Sequence, residues 1–449
     1  MHEQRRESRE KQQAGDDLAT MMLDGLAKAL WAARVELALL APSLALFGWL
    51  WLHVGWTPRS AAVPAASVWA PVLAWGESRR WVWCRVRRAG VRRDVLGAFK
   101  AAGTFLTFQP RVVRVRELPG GDAVTLELPR GGTAADVEKS AESIASSMQV
   151  REVRVVREAS NARRVQLFVV RRDWLAERAL PWPWRGMERI DLWQPFPVGV
   201  GDDGGTVMLT LVERNLLNGG EPGAGKSGNL NLICAAAALD PDVDLYLLDG
   251  KMVELAAWRG CATASVGVSV AQANALLREL RTEMEARYAW LLEIGKRKVE
   301  RGDGPGLVVV VVDELAHYLT NGTRDEQREF ADLLRDLVSR GRAAGIIVVA
   351  ATQKPSSDVI PTALRDLFGY RWAMRCTTPQ ASDTVLGSGW SSQGWSAADI
   401  DPAARGVGLL LHEGGVPLRL RSFWLDDEAV YEIASRAVGA RHRHARPRP

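Results

Sequence analysis

Cysteine is scarce in this 449-residue chain: Cys84, Cys234, Cys261 and Cys376 stand far apart, with no CxxC pair among them. That spacing excludes the common zinc frameworks and offers no disulfide scaffold, so the thiols are expected to be reduced and mostly packed. The six histidines are scattered too, apart from His442 and His444 in a basic C-terminal tail, and no metal site built on them is expected. Charge is missing from one place in particular. Between Leu37 and Trp56 there is no Asp, Glu, Lys or Arg, and a helix of about 20 such residues is what a ~30 Å hydrocarbon core requires. Hydrophobic residues are plentiful, at 47% of the chain, enough to exclude disorder throughout and to build a sizeable core. The net charge of +5 suits a polyanionic partner, but much of the excess sits between Arg79 and Arg93 and in the tail.

A second apolar stretch, Ala61 to Trp75, follows the break Thr57-Pro58-Arg59-Ser60 and is interrupted by Pro64 and Pro71. Basic residues precede the first stretch (Arg5, Arg6, Arg9, Lys11, Lys28, Arg34) and follow the second (Arg79, Arg80, Arg85, Arg87, Arg88, Arg92, Arg93). Basic flanks stay on the cytoplasmic side, and a hairpin of two spans satisfies both flanks where a single span would not. The expected plan is a cytoplasmic segment over 1–36, a membrane hairpin over 37–78 and a basic linker over 79–111. The chain is thus placed in the cytoplasmic membrane, with everything downstream facing the cytoplasm.

Alternating runs at Val124–Leu128, Val150–Val156 and Val165–Val170 read as strands, and Ala134 to Met148 has helical periodicity. Together they predict a small α/β domain over 112–180. The prolines at 181, 183, 195 and 197 mark the way into a large domain, expected over 181–435, with the tail at 436–449.

The most specific motif is Gly220-Glu221-Pro222-Gly223-Ala224-Gly225-Lys226-Ser227, a complete GxxxxGK[ST], after a short strand and before an Ala- and Leu-rich helix. Glycines let backbone amides wrap phosphates, and the helix N-terminus beginning near Gly228 adds partial positive charge. Lys226 is expected to reach the β and γ phosphates of ATP, and Ser227 to ligate Mg²⁺. Downstream, Leu307 to Val312 reads as a buried parallel strand ending in Asp313-Glu314. Asp313 is expected to hold the Mg²⁺ from its other side and Glu314 to polarise the attacking water. A further strand, Ile346 to Ala351, ends in Thr352-Gln353, where Gln353 can sense the γ-phosphate, and Leu245 to Leu248 ends in Asp249. Polar residues delivered to one strand-end edge are the pattern of an open α/β sheet. No small-molecule substrate beyond ATP is expected.

With these residues in place, the stretch from about Val112 to Glu428 resembles the FtsK/SpoIIIE translocase family. After the P-loop come Asp249-Gly-Lys-Met-Val-Glu-Leu255, similar to the family's DPKxxEL, and Glu283-Met-Glu-Ala-Arg-Tyr288, similar to its EMxxRY. Asp313-Glu314, Arg342-Ala-Ala-Gly-Ile346 and Ala351-Thr-Gln-Lys-Pro355, similar to ATQRP, follow in the family's order. The resemblance implies a RecA-like motor with the small α/β domain as its collar. It further implies a homo-oligomer, a hexameric ring around double-stranded DNA, with an arginine of one subunit completing the site of the next. Arg340 and Arg342 are the candidates for that finger. The family's usual proline is Gly250 here and its usual arginine is Lys354, and residues 364–374 drift from the pattern. The short C-terminal remainder leaves no room for a winged-helix reader, so recognition of short DNA sequences is not expected. The whole is most like the compact transfer proteins of actinobacterial plasmids and integrative elements. Two other cargoes stay open: polypeptide, as in type VII secretion ATPases, and single-stranded DNA, as in type IV coupling proteins. So does a chain whose P-loop only binds ATP to assemble a ring.

Overall fold

The computed structural model describes residues 34–54, 57, 76–104, 109–158, 160–177, 179–356 and 359–443. They fall into two compact units, meeting in sequence between Arg172 and Asp173. The expected second apolar segment, 61–75, and the last residues of the basic tail lie outside the described residues.

In the first unit, helix α1 spans Arg34–His53 and α2 spans Gly76–Ala101. Among the described residues no helix is long and apolar enough to cross a membrane, and so the hairpin expected over 37–78 finds no support in the structure. Strands β1 (Arg111–Leu118), β2 (Gly121–Glu127), β3 (Glu152–Arg157) and β4 (Arg164–Val170) form an antiparallel sheet in the order β1-β2-β4-β3. The helix expected over 134–148 is two helices, α3 (Ala134–Lys139) and α4 (Ala141–Met148). They divide at Ser140, whose hydroxyl donates back to the Asp136 carbonyl at 3.1 Å. Serine competes for local backbone groups in just this way, which weakens it as a helix-interior residue. Thr133 and Asp136 form a capping box that starts α3. One face of α2, with Val91, Val95, Ala98 and Phe99, is buried with Val124, Leu126, Ile144 and Leu167 in this unit's core.

The second unit contains α5 (Trp174–Glu177), β5 (Leu180–Pro181), β6 (Phe196–Gly201), β7 (Thr206–Leu209), β8 (Leu216–Gly219) and α6 (Lys226–Leu239). There follow β9 (Asp244–Leu248), β10 (Ala264–Val266), α7 (Val270–Glu293), β11 (Val308–Val312), α8 (Leu315–Thr320), α9 (Arg324–Arg340) and β12 (Ile346–Thr352). Helix α10 (Thr362–Arg365), β13 (Tyr370–Met374), α11 (Pro379–Leu386), β14 (Val407–His412), β15 (Leu418–Trp424) and α12 (Asp427–Arg443) complete it.

The strands run in the order β10-β9-β11-β12-β8-β13-β14-β15-β6-β7, with β5 on β15. From β10 to β13 neighbours are parallel, and from β13 onward antiparallel. The five valines of β11 show why such a strand reads as a continuous apolar run. Val309 and Val311 enter one core with α6 and α12, whereas Val308, Val310 and Val312 enter the other with α7 and α9. Both faces of the parallel sheet are covered, so neither can be polar. Helix α6 carries four consecutive alanines, 235–238, all buried, because it is covered on more than one side. Helix α9 is instead amphipathic: Phe330, Leu333, Leu334, Leu337 and Val338 recur at helical spacing and are buried, and Thr323 with Glu326 caps its start.

Candidate functional site at the strand ends

Parallel topology puts the C-terminal ends of β8, β9, β11, β12 and β13 along one edge, where open α/β sheets carry their ligands. Strand β8 leads into the loop 220–225, and α6 opens at Lys226. Gly220, Gly223 and Gly225 have φ of 155°, 77° and 115°, a region unfavourable for any side chain. A Cβ at Gly225 would also lie 2.9 Å from Gly406 Cα, and one at Gly220 2.7 Å from Met374 Cβ. The loop is held by its neighbours: Gly406 N–H donates to the Ala224 carbonyl at 3.0 Å, and Glu221 N–H to the Arg375 carbonyl at 2.9 Å. The Glu221 carboxylate is ion-paired with Arg375 and accepts from the Thr377 hydroxyl at 2.9 Å.

Lys226 is 6% exposed, and its ammonium donates to the carbonyls of Gly220 at 2.6 Å and Glu221 at 2.9 Å. Burial lowers its pKa to about 8, against the opposing pull of Glu314. The side chain thus curls over its own loop, satisfied by backbone dipoles alone. Ser227 stands next in the first turn of α6, and the ring of Trp424 lies against Gly228.

Asp313 follows β11 directly and is 4% exposed. Its Oδ1 accepts from the Gly250 amide at 2.7 Å, while Oδ2 is buried without a hydrogen-bond partner. Burial pushes its pKa up to about 6, with the Gly250 bond opposing. Glu314 begins α8. Its carboxylate accepts from the Thr352 hydroxyl at 3.0 Å and the Gln353 amide at 3.1 Å, and the Lys251 ammonium lies 3.9 Å away. Asp249, at the end of β9, is fully buried, with one oxygen accepting from Leu255 N–H at 3.3 Å and the other unpartnered. An unpartnered buried carboxylate oxygen is costly, and those of Asp249 and Asp313 lie at neighbouring strand ends of this edge.

The sequence-expected residues Lys226, Ser227, Asp313, Glu314 and Gln353 are therefore brought to one edge, the last through its backbone amide. Arg340 and Arg342 are engaged elsewhere in their own chain. Arg340 pairs with Asp336 at 3.0 Å and lies over the Tyr288 ring at 5.8 Å, and Arg342 approaches Glu413 at 3.6 Å. Sequence reasoning missed Arg375 and Thr377, which brace the loop, and Lys251. The signal for Arg375 was available in principle, since a strand adjacent to β8 must end beside the loop, but residues 364–374 do not follow the family pattern. Among the described residues no group of three or more His, Cys, Asp or Glu could hold a metal by itself. Cys234, Cys261 and Cys376 are buried and free, with pKa values raised by burial, in keeping with packed thiols.

A glycine loop between strand and helix, with an acidic pair closing a neighbouring parallel strand, defines a P-loop NTPase of mixed α/β fold. Residues 185–306 match the model of the FtsK/SpoIIIE family; the chain carries an FtsK/SpoIIIE-type P-loop ATPase domain. The DNA translocase FtsK of Halalkalibacterium halodurans is 31% identical over 265 residues, 54% of this chain and 32% of that protein. The DNA translocase SpoIIIE of Bacillus subtilis is 29% identical over 265 residues with the same coverage. The chain thus spans about a third of the length of the curated relatives it matches. Among solved structures, the pCW3 conjugation coupling protein TcpA, with ATPγS, shares the fold at a TM-score of 0.54 and 21% identity, over 78% of this chain and 99% of that one.

Proposed function

We propose that the chain is an ATP-hydrolysing motor that moves double-stranded DNA, working as a hexameric ring in conjugative transfer of a plasmid or integrative element. One observation carries the chemical part: an intact phosphate loop and a buried Asp-Glu pair share one sheet edge, each with an unmet electrostatic need. Among the described residues Lys226 has no anionic partner at hydrogen-bond distance, and Asp313 Oδ2 has no hydrogen-bond partner. A triphosphate answers the first need and a hydrated cation the second, so the residues present fit Mg²⁺-ATP.

In this reading the amides of 220–228 and the start of α6 receive the β and γ phosphates, and Lys226 turns from its carbonyls onto them. Ser227 and Asp313 would hold Mg²⁺, which supplies charge neutralisation on the phosphate oxygens. Glu314 orients the attacking water and takes its proton; Thr352 and the Gln353 amide fix where its carboxylate starts, and Gln353 links that position to the nucleotide. Arg340 or Arg342 serves as the finger of the next subunit only after leaving Asp336 or Glu413, exposed pairs of small worth. DNA as cargo is supported by the family match and by the named relatives, and the collar over 112–180 and motor over 181–435 follow the same plan. A membrane anchor rests on the charge-free run 37–56 of the sequence alone; persistence of the chain in the pellet after carbonate extraction tests it.

Two variants test the site. Lys226→Ala should abolish ATP binding, whereas Glu314→Gln should bind ATP as tightly as the parent and lose hydrolysis by about 10²-fold or more, on the order expected for a lost general base. Wild-type turnover in either variant rejects the assignment.

A further inference from the structure

Outside the nucleotide edge, the first unit holds a groove of about 1160 Å³ between α2 and β1. Its charged lining is entirely arginine, with no Asp or Glu among the residues that form it. Arg85, Arg88 and Arg92 project along one stripe of α2, spaced i, i+3, i+7, while Arg114 stands on the strand across the groove. None of these four makes an ion pair with a described carboxylate. Arg87, just outside, does, with Asp122 at 3.2 Å, so acidic partners exist in this unit, yet none of the described residues lining the groove is acidic.

The helix that carries three of these arginines is also held in place. Toward its C-terminal half, α2 is anchored in the unit's core through Val91, Val95 and Phe99. Arg85 lies over the Trp81 ring at 5.1 Å, which restrains its guanidinium without neutralising it. A row of like charges on a fixed scaffold is self-repulsive unless an anion of matching density lies against it. From Arg85 to Arg92 the helix rises about 10 Å, a length over which duplex DNA carries roughly six phosphate charges. Guanidinium is the side-chain group best matched to phosphate oxygens. Walls on two sides suit a linear polyanion lying along the groove better than a flat lipid surface.

We propose that this groove is a second, sequence-independent contact for the phosphate backbone of double-stranded DNA, separate from the ATPase unit. It rests on the proposed DNA cargo, but it assigns the contact to residues for which that reading gives no role. By chemistry the site takes phosphodiester anions, reads no bases, and weakens steeply with salt.

The test uses the full chain in detergent, without nucleotide, and follows the anisotropy of a labelled duplex of about 30 base pairs through a salt titration. Arg88→Ala/Arg92→Ala/Arg114→Ala together should flatten the plot of log affinity against log salt by about 2.7, three contacts at ~0.9 each. The matching Arg→Lys triple should keep most of the slope, and basal ATP hydrolysis should be unchanged in both, which shows that each variant is folded. An alanine triple with the parent's slope and affinity overturns the groove, even if duplex still stimulates hydrolysis, in which case the motor reading survives alone. A groove-dependent duplex affinity with no stimulation of hydrolysis supports the groove and counts against the motor reading. Unchanged duplex binding together with lost binding to vesicles of phosphatidylglycerol assigns the arginines to a lipid surface and overturns the proposal.

Discussion

Lys226 illustrates how one side chain can link fold and chemistry. Sealed among backbone carbonyls, it has a pKa lowered to about 8, because burial disfavours the ammonium more than two carbonyl dipoles can offset. Relative to the unfolded chain this is a stability penalty, fully present below pH 8 and fading as pH rises toward the ordinary lysine value of ~10.4. A triphosphate restores an anionic partner and raises the pKa again. Binding of Mg²⁺-free ATP should therefore take up about half a proton at pH 8 and almost none at pH 7. Calorimetry in buffers of different ionisation enthalpy reads this directly. The Lys226→Arg variant, charged throughout, should show no uptake from this position; the same uptake in that variant would place its source elsewhere. Glu314 shows the complementary device. Its carboxylate is tied by Thr352 and Gln353 to the neighbouring strand end, so any movement of β12 relative to β11 moves the group proposed to orient water.

At the scale of elements, Asn215 sets the position of β8. Its amide donates to the Val338 carbonyl in α9 at 2.7 Å, and its oxygen accepts from Val348 N–H in β12 at 2.7 Å. One fully buried side chain thus joins a helix end, a central strand and the entry to the phosphate loop. Asn215→Ala leaves both backbone groups buried and unpaired, at about 1–3 kcal/mol each. The thermal midpoint should fall by several degrees, and a variant as stable as the parent would show that Asn215 does not hold these elements together. Much of this level was legible in the sequence. The β-branched run 308–312 could only be a strand covered on both faces, and the glycine loop fixes its own strand–loop–helix context, so β8, α6, β11 and β12 appear close to where periodicity placed them. What was not legible depends on contacts that no local pattern encodes. The break between α3 and α4 at Ser140 turns on one hydroxyl. The bracing of Glu221 by Arg375 and Thr377 needs β13 to lie next to β8, an adjacency that nothing in residues 364–374 announces. The partners of Arg340 and Arg342 are likewise set by helix packing rather than by motif.

For the whole molecule, two compact units divide the work: the second carries the nucleotide edge, and the first carries a cationic groove on an α2–β1 framework. The hydrolysis proposed for this chain rests on residues 220–228, 313–314 and 352–353, and nothing in that set specifies a cargo. Cargo is therefore the property most open to direct trial. The decisive measurement is the ATPase rate of the purified full chain, alone, with long double-stranded DNA, and with single-stranded DNA at equal nucleotide concentration. Strong stimulation by the duplex alone is predicted; equal rates in all three, from assembled rings, would contradict the DNA motor and point to a polypeptide cargo instead.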